Sequence, residues 1–250
     1  MKTKLILLFL ALGLFAQATY AQEETITISG QVTDFEGNPI DSSIVRLIHA
    51  DFSDAYKTYT DKNGHYTLEV KKGRYAALYA LRPKEYPRRN AVPKEDMRLE
   101  FWAWNVIADR DLTIDAHYQK LELYGTTVFD EYGGVPHMYV YFRPMSVTRL
   151  VGYRDEVIVN KEVAERESDL SVSPEHIGVE VFADGQPLKV LAIQPIEIEL
   201  DNAPTAYLVQ VERPSLRPDK PYIIFRVVVT NREYDEIGEN LYFYEVKNYE

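Results

Sequence analysis

Apolar and polar residues alternate with a period of two along most of the chain, and clusters of turn residues separate the alternating runs. The pattern is most regular between residues 28 and 79, where turn clusters lie at 34–39, 61–64 and 72–74. The runs that read as strands there lie at 26–30, 44–48, 65–70 and 74–79. Short strands at this spacing predict a small β-sandwich.

The same alternation continues to the end of the chain, and it includes no long amphipathic helix. Further strands are predicted at 99–106, 112–116, 121–124, 138–142, 179–182, 188–191, 196–200, 206–211, 222–229 and 241–246. With Gly125 as the boundary, we predict an all-β protein of two β-sandwich domains in tandem, at residues 22–124 and 125–250. The charged segment 154–173 has no clear period, which indicates a solvated loop or a short helix.

One predicted strand is apolar on both faces. Ile223, Phe225, Val227 and Val229 form one face of 222–229, whereas Tyr222, Ile224, Arg226 and Val228 form the other. We expect a central strand that is buried on both sides.

Residues 1–21 have the features of a cleaved secretory signal peptide. Lys2 and Lys4 precede an apolar run at 5–15, and small residues follow up to Ala21. The run is shorter than the ~20 residues that span a bilayer. We therefore predict export to the periplasm or the cell surface, with no transmembrane segment in the mature chain. Cleavage after Ala21 is favoured, and Ala16-Gln17-Ala18 offers a second site.

The composition narrows the possible partners. The chain contains no cysteine, which excludes disulfides, thiolate metal sites and an acylated lipoprotein cysteine. The formal net charge is −11, and loss of the two signal-peptide lysines makes the mature chain more acidic still. An acidic surface repels nucleic acid, so we expect none as a partner.

The turn clusters and the strands around them carry a family resemblance. The relevant segments are SGQVTD at 29–34, GNPI at 37–40, TDKNGHY at 60–66 and GRY at 73–75. In this order they resemble the carboxypeptidase regulatory-like domain, whose pattern is G-x-V-x-D-x-x-G-x-P, then T-D-x-x-G-x-Y/F, then G-x-Y. The resemblance implies a prealbumin-like β-sandwich in a cell-envelope protein, and it implies no reaction. Residues 126–250 resemble no family.

The motif residues also have a local explanation. Gly37 and Gly64 suit turn positions with positive φ, while the side chains of Asp34 and Asp61 can accept hydrogen bonds from turn N–H groups. Asp61-x-Asn63-Gly64 copies part of a calcium-binding loop, but the remaining ligands are missing. We therefore interpret it as a hairpin turn and expect no metal or cofactor.

The motifs of three large enzyme classes are absent from the sequence. None of the five histidines precedes a glutamate by three residues, as a zinc carboxypeptidase site would require. There is no G-x-S-x-G nucleophile elbow and no phosphate-binding loop. A hydrolase whose two carboxylates meet only in space stays open, because such a pair needs no sequence motif.

The aromatic residues give the best functional lead. Trp102 and Trp104, the only tryptophans of the chain, alternate along one predicted strand and so share a face. Tyr139 and Tyr141 repeat the arrangement. These four residues could form a platform for sugar rings, or they could belong to the core, where aromatic residues are common in strands.

We therefore expect a non-catalytic, exported accessory or scaffold protein of the bacterial cell envelope that binds a partner protein through strand edges and loops. The alternative is a carbohydrate-binding module that uses the aromatic platform, and the third reading is the hydrolase with spatially assembled carboxylates. The sequence leaves the oligomeric state open.

Overall fold

A computed structural model describes residues 24–89, 91–131, 136–199, 205–215 and 219–246. The predicted signal peptide at 1–21 lies outside the described residues. In this part of the chain no helix has the length and apolar character needed to cross a membrane.

The described chain is built mainly from strands. In the first half they are β1 (Thr25–Thr33), β2 (Ile44–Ile48), β3 (Asp54–Tyr59), β4 (His65–Lys71), β5 (Gly73–Leu81), β6 (Phe101–Ala108), β7 (Leu112–Thr113), β8 (Ala116–His117) and β9 (Leu121–Phe129). In the second half they are β10 (His137–Ser146), β11 (Ile177–Ala183), β12 (Gln186–Leu188), β13 (Val190–Glu197), β14 (Thr205–Glu212), β15 (Tyr222–Asn231) and β16 (Glu236–Glu245).

One eight-stranded sheet runs through the whole molecule, in the order β12-β11-β15-β16-β6-β5-β2-β3. Its two halves meet where β6 and β16 pair in parallel, with Trp102 opposite Asn240 and Trp104 opposite Tyr242. Because β6 and β16 are far apart in sequence, this pairing is a long-range contact between the middle of the chain and its last strand.

Two smaller sheets cover opposite faces of this large sheet. The first consists of β4, β1 and β7, with β8 also paired to β1, and the second has the order β13-β14-β10-β9. Tyr222 packs into the core under the first sheet, whereas its neighbour Ile223 packs into the core under the second. Adjacent strand residues point to opposite faces, so each half of the molecule is a β-sandwich built on its own face of the shared sheet.

The prediction of an all-β fold with two β-sandwiches is confirmed. The sharing of one sheet was not foreseen, since no local pattern encodes the pairing of β6 with β16. Gly125 lies inside β9 with a φ of 67°. The limits 22–124 and 125–250 stay a prediction.

The segment between β10 and β11 contains three short helices: α1 (Val147–Val151), α2 (Asp155–Val159) and α3 (Lys161–Glu167). The Asn160 side chain caps α3 by accepting hydrogen bonds from the backbone N–H groups of Glu162 and Val163. Of the two predictions for 154–173, the short helix holds. Val157 and Val163 are buried, so the segment also covers part of the core.

The two aspartate turns have the predicted hydrogen bonds. Asp34 accepts from the backbone N–H groups of Glu36 at 3.1 Å and Asn38 at 2.8 Å, and Asp61 accepts from those of Asn63 and His65 at 2.8 and 2.9 Å. Each carboxylate therefore accepts its hydrogen bonds from backbone groups of its own turn. Asp34 is buried, whereas Asp61 is exposed.

The expectation for strand 222–229 was half wrong. Ile223, Phe225, Val227 and Val229 are fully buried, but on the other face only Tyr222 is, while Ile224, Arg226 and Val228 are half-buried. The reason is that the first small sheet covers this face of β15 only near Tyr222, so the rest of that face borders solvent.

Candidate binding site

A line of side chains crosses the large sheet on the face opposite the first small sheet. Strand pairing places Lys57 of β3 beside Arg46 of β2, Arg46 beside Tyr79 of β5, and Tyr79 beside Trp102 of β6. Directly opposed residues point to the same face of a sheet, so these four side chains stand in one row. The register of four strands therefore builds a surface that sequence spacing does not show.

The rings stand on the sheet and contact each other. The centroid of Trp102 lies 4.7 Å from that of Tyr79 and 4.6 Å from that of Trp104, and the two indole planes differ by 9°. Tyr124 of β9 then meets Trp104 edge-on, with centroids 6.5 Å apart. We call Tyr79, Trp102, Trp104 and Tyr124 the aromatic row.

This stacking decides which ring surfaces are available. Both faces of Trp102 are occupied by neighbouring rings, and one face of Trp104 is occupied by Trp102. Trp102 is only 6% exposed and Trp104 is half-buried, while Tyr124, at the end of the row, is 38% exposed. The row is thus buried at its centre and more accessible at its ends. Its stacked rings do not form a flat platform.

Arginine side chains border both ends of the row. The Arg46 guanidinium lies 5.7 Å from the centroid of Tyr79, donates to the Tyr79 hydroxyl at 2.5 Å and pairs with Asp54 at 2.8 Å. The Arg143 guanidinium lies 4.7 Å from the centroid of Tyr124. Such cation–π contacts hold the guanidinium groups beside the rings.

Tyr139 and Tyr141 do not join this row. Both lie on β10 in the second small sheet, where Tyr139 stacks on Phe129 with centroids 5.4 Å apart and Tyr141 lies opposite Thr127. Each of them is half-buried. Of the four predicted residues, the structure therefore brings together Trp102 and Trp104 and places the two tyrosines on another surface.

Two buried carboxyl groups lie beside the aromatic row. Glu100, directly before β6, and Glu122 of β9 are neighbours, and they are 9% and 2% exposed. The Tyr86 side chain lies close to Glu100 and lowers the pKa of its carboxyl group. The indole N–H of Trp102 lies beside both carboxyl groups, without the geometry of a hydrogen bond to either.

Burial raises the pKa of both carboxyl groups, and the charge of Glu100 raises the pKa of Glu122 further. Arg88 and Arg143 act in the opposite direction, on the pKa of Glu100 and of Glu122 respectively. Two like charges in contact cannot both be favourable in a buried site, so the pair keeps a proton near neutral pH.

The acid pair does not have the arrangement of a glycosidase site. Retaining glycosidases hold their carboxyl groups about 5 Å apart so that the substrate lies between them. Glu100 and Glu122 contact each other instead. Glu122 borders a cavity of about 60 Å³ whose walls are mainly apolar.

Comparisons with known proteins give little further information. No protein-family model matches the chain, and no curated protein matches it. The major pilin subunit of Bacillus cereus is similar at 11% identity over 88% of this chain and 67% of its own, with a TM-score of 0.27. The full-length major pilin SpaD from Corynebacterium diphtheriae is similar at 9% identity over 89% and 66%, with a TM-score of 0.25. Values this low carry no argument about function.

Sequence reasoning missed four of the functional candidates: Tyr79, Tyr124, Arg46 and Arg143. The chain separates them by tens of residues, and only strand register unites them. The alternation of Trp102 and Trp104 was the one local signal. The run Phe101 to Trp104 therefore identified the strand but not its neighbours.

Proposed function

We propose that this chain is an exported, non-catalytic binding protein of the bacterial cell envelope, and that a partner protein binds along the aromatic row. The supporting observation is the position of the row. It lies on the face of the large sheet that β4, β1 and β7 leave open, beside the edge of the second small sheet. Tyr124 is exposed there, and Arg46 and Arg143 are half-buried.

The chemistry of this surface favours a protein as the ligand. Tyrosine, tryptophan and arginine are the residues enriched at the energetic centres of protein interfaces. A sugar ring would stack on an open aromatic face, but the faces of Trp102 are covered by Tyr79 and Trp104. Binding of a glycan by Trp102 and Trp104 stays a prediction that a glycan array of wild type and Trp102→Ala tests.

Strand edges were the other predicted binding feature, and β13 is the edge that fits best. Among the described strands it pairs with β14 alone, and Leu191 and Ile193 are 39% and 38% exposed. Pro195, however, lacks a backbone N–H, which is a common protection of edge strands against further pairing. We therefore place the main contact at the aromatic row.

Two further predictions belong to this proposal. The export signal at 1–21 gives the cellular setting, and the turn motifs of 29–75 support a carboxypeptidase regulatory-like domain at 22–124, followed by a second sandwich domain at 125–250. In such a protein the sandwiches would serve as the rigid frame that holds the binding surface.

The test is capture of a partner from an envelope extract of the source cells. The bait is wild type, a row variant carrying Trp104→Ala and Tyr124→Ala, or the control Phe129→Ala. Phe129 is a matched control because it lies on the same strand as Tyr124 and is equally exposed, at 38%. We expect wild type and Phe129→Ala to enrich the same protein and the row variant to lose it. Equal enrichment by all three folded baits would disprove the proposal.

A further inference from the structure

We infer that the partner presents an acidic, extended polypeptide segment to the aromatic row; this inference rests on the proposed function and names the chemistry of its ligand. Three cationic side chains border the row: Lys57, Arg46 and Arg143. They lie on a chain whose formal net charge is −11. A cationic surface on an acidic protein selects a ligand of opposite charge.

Arg143 contributes most to this argument. Within the described residues it forms no ion pair, and Glu122, whose pKa it lowers, is buried next to Glu100. Since that acid pair retains a proton, it does not fully neutralise Arg143. The guanidinium, held over the ring of Tyr124, keeps charge available for a carboxylate outside the protein.

The other end of the row is also cationic. Lys57 is exposed, and in the described part of the chain it has no carboxylate partner, its ammonium lying 5.7 Å from the ring centroid of Tyr59. Arg46 pairs with Asp54, which is itself 36% exposed and leaves part of the guanidinium accessible. A ligand that contacts both ends of the row would therefore need a negative charge at each end.

The rings between these ends favour the same ligand. An aromatic ring is negative on its faces and positive at its edge. The faces of Trp102 and one face of Trp104 are turned toward neighbouring rings, so the row leaves little ring face open to solvent. Two cationic ends with few open negative ring faces between them suit an extended chain with carboxylates along its length, and the covered faces disfavour a sugar polymer.

The experiment measures binding of two labelled synthetic peptides by fluorescence anisotropy. One is rich in glutamate, and the other has glutamine at the same positions. We expect the glutamate peptide to bind wild type, and the glutamine peptide to bind about tenfold more weakly. Affinity for the glutamate peptide should fall with added salt.

Variants locate the effect on the protein. Arg46→Ala combined with Arg143→Ala should weaken binding of the glutamate peptide about tenfold. The matched control is Arg110→Ala with Arg154→Ala, which removes two exposed arginines from other surfaces and changes the net charge equally. Equal affinity for both peptides, equal loss in both double variants, or binding of polygalacturonate but of neither peptide would overturn the inference.

These outcomes are distinct from failure of the proposed function. If the captured envelope protein depends on Trp104 and Tyr124 but stays bound at high salt, the partner is not recognised by charge. The proposed function then stands and the acidic segment is wrong. If capture does not depend on the row at all, the proposed function fails first.

Discussion

The two faces of β6 carry similarly apolar residues, but the first small sheet covers only one of them. In this protein, the packing of a second sheet decides which apolar residues belong to the core. Phe101 and Ala103 are fully buried against the first small sheet, and they pack among residues from both ends of the chain. Trp102 and Trp104 alternate with them and are equally apolar. They lie on the face that the small sheet leaves open, where neighbouring rings bury Trp102 and leave Trp104 half-buried. The same strand thus contributes a core and a candidate binding surface.

The largest expected effect is a difference in stability between a substitution on each of these two faces. Phe101→Ala should lower the free energy of unfolding by about 3–5 kcal/mol, because it leaves a cavity in a closed core. Trp104→Ala should cost about 1–2 kcal/mol, since part of the ring already contacts water. Denaturant unfolding of both variants measures the difference, and equal losses would show that Trp104 belongs to the core.

The second effect concerns Glu100 and Glu122, the two buried acids beside the aromatic row. Since their pKa values are raised in the folded state, the folded protein binds more protons than the unfolded chain above the ordinary glutamate pKa. Stability should therefore fall as the pH rises through that range, by about 1.4 kcal/mol for each unit of raised pKa. Glu122→Gln removes one of the two titrating groups and keeps the size of the side chain, so it should flatten this loss.

The control for this prediction is a glutamate whose pKa is lowered, so its effect on stability has the opposite dependence on pH. Glu245 is exposed, and its hydrogen bond with Arg74 lowers its pKa, so Glu245→Gln should remove a little stability above the ordinary glutamate pKa. Thermal unfolding across a pH series compares the two variants with wild type. A Glu122→Gln variant that is destabilised throughout the alkaline range would mean that the pair is ionised and held by Arg143.

A third prediction contrasts two turns with the same motif. Asp34 is buried and accepts three hydrogen bonds from Glu36 and Asn38, whereas Asp61 is exposed and accepts two. Asp34→Ala should cost about 2 kcal/mol, because its turn N–H groups lose a partner in a buried site. Asp61→Ala should cost about 0.5–1 kcal/mol. Similar losses in chemical unfolding would show that the motif, not burial, sets the effect.

The smallest effect lies where the first small sheet meets β16. His117 of β8 hydrogen-bonds Glu239 at 2.9 Å, and this contact raises the pKa of His117. Its stabilisation is fully present below the ordinary histidine pKa and is lost as the pH rises through the raised value. Because His117 is partly exposed, we expect less than about 1 kcal/mol. His117→Gln should reduce the pH dependence near neutrality, which unfolding at two pH values detects.

Alternation in the sequence predicted most strands and both sandwiches, because each strand carries its own buried face. It missed β3, whose sequence DAYKTY lies at the edge of the sheet and buries little. It placed Trp102 and Trp104 on one face, since that depends on β6 alone. Tyr79, Tyr124 and the Glu100–Glu122 contact depend on which strands become neighbours, and no local pattern encodes that choice.

Tryptophan emission during partner binding tests the central claim most directly, because both tryptophans of the protein lie in the aromatic row. When the partner captured by wild type is titrated onto the protein, we predict a shift or quenching of emission that saturates with binding. Trp104→Ala and Tyr124→Ala should abolish binding and the signal together. Saturating binding that leaves the emission of both tryptophans unchanged would contradict the assignment of this surface.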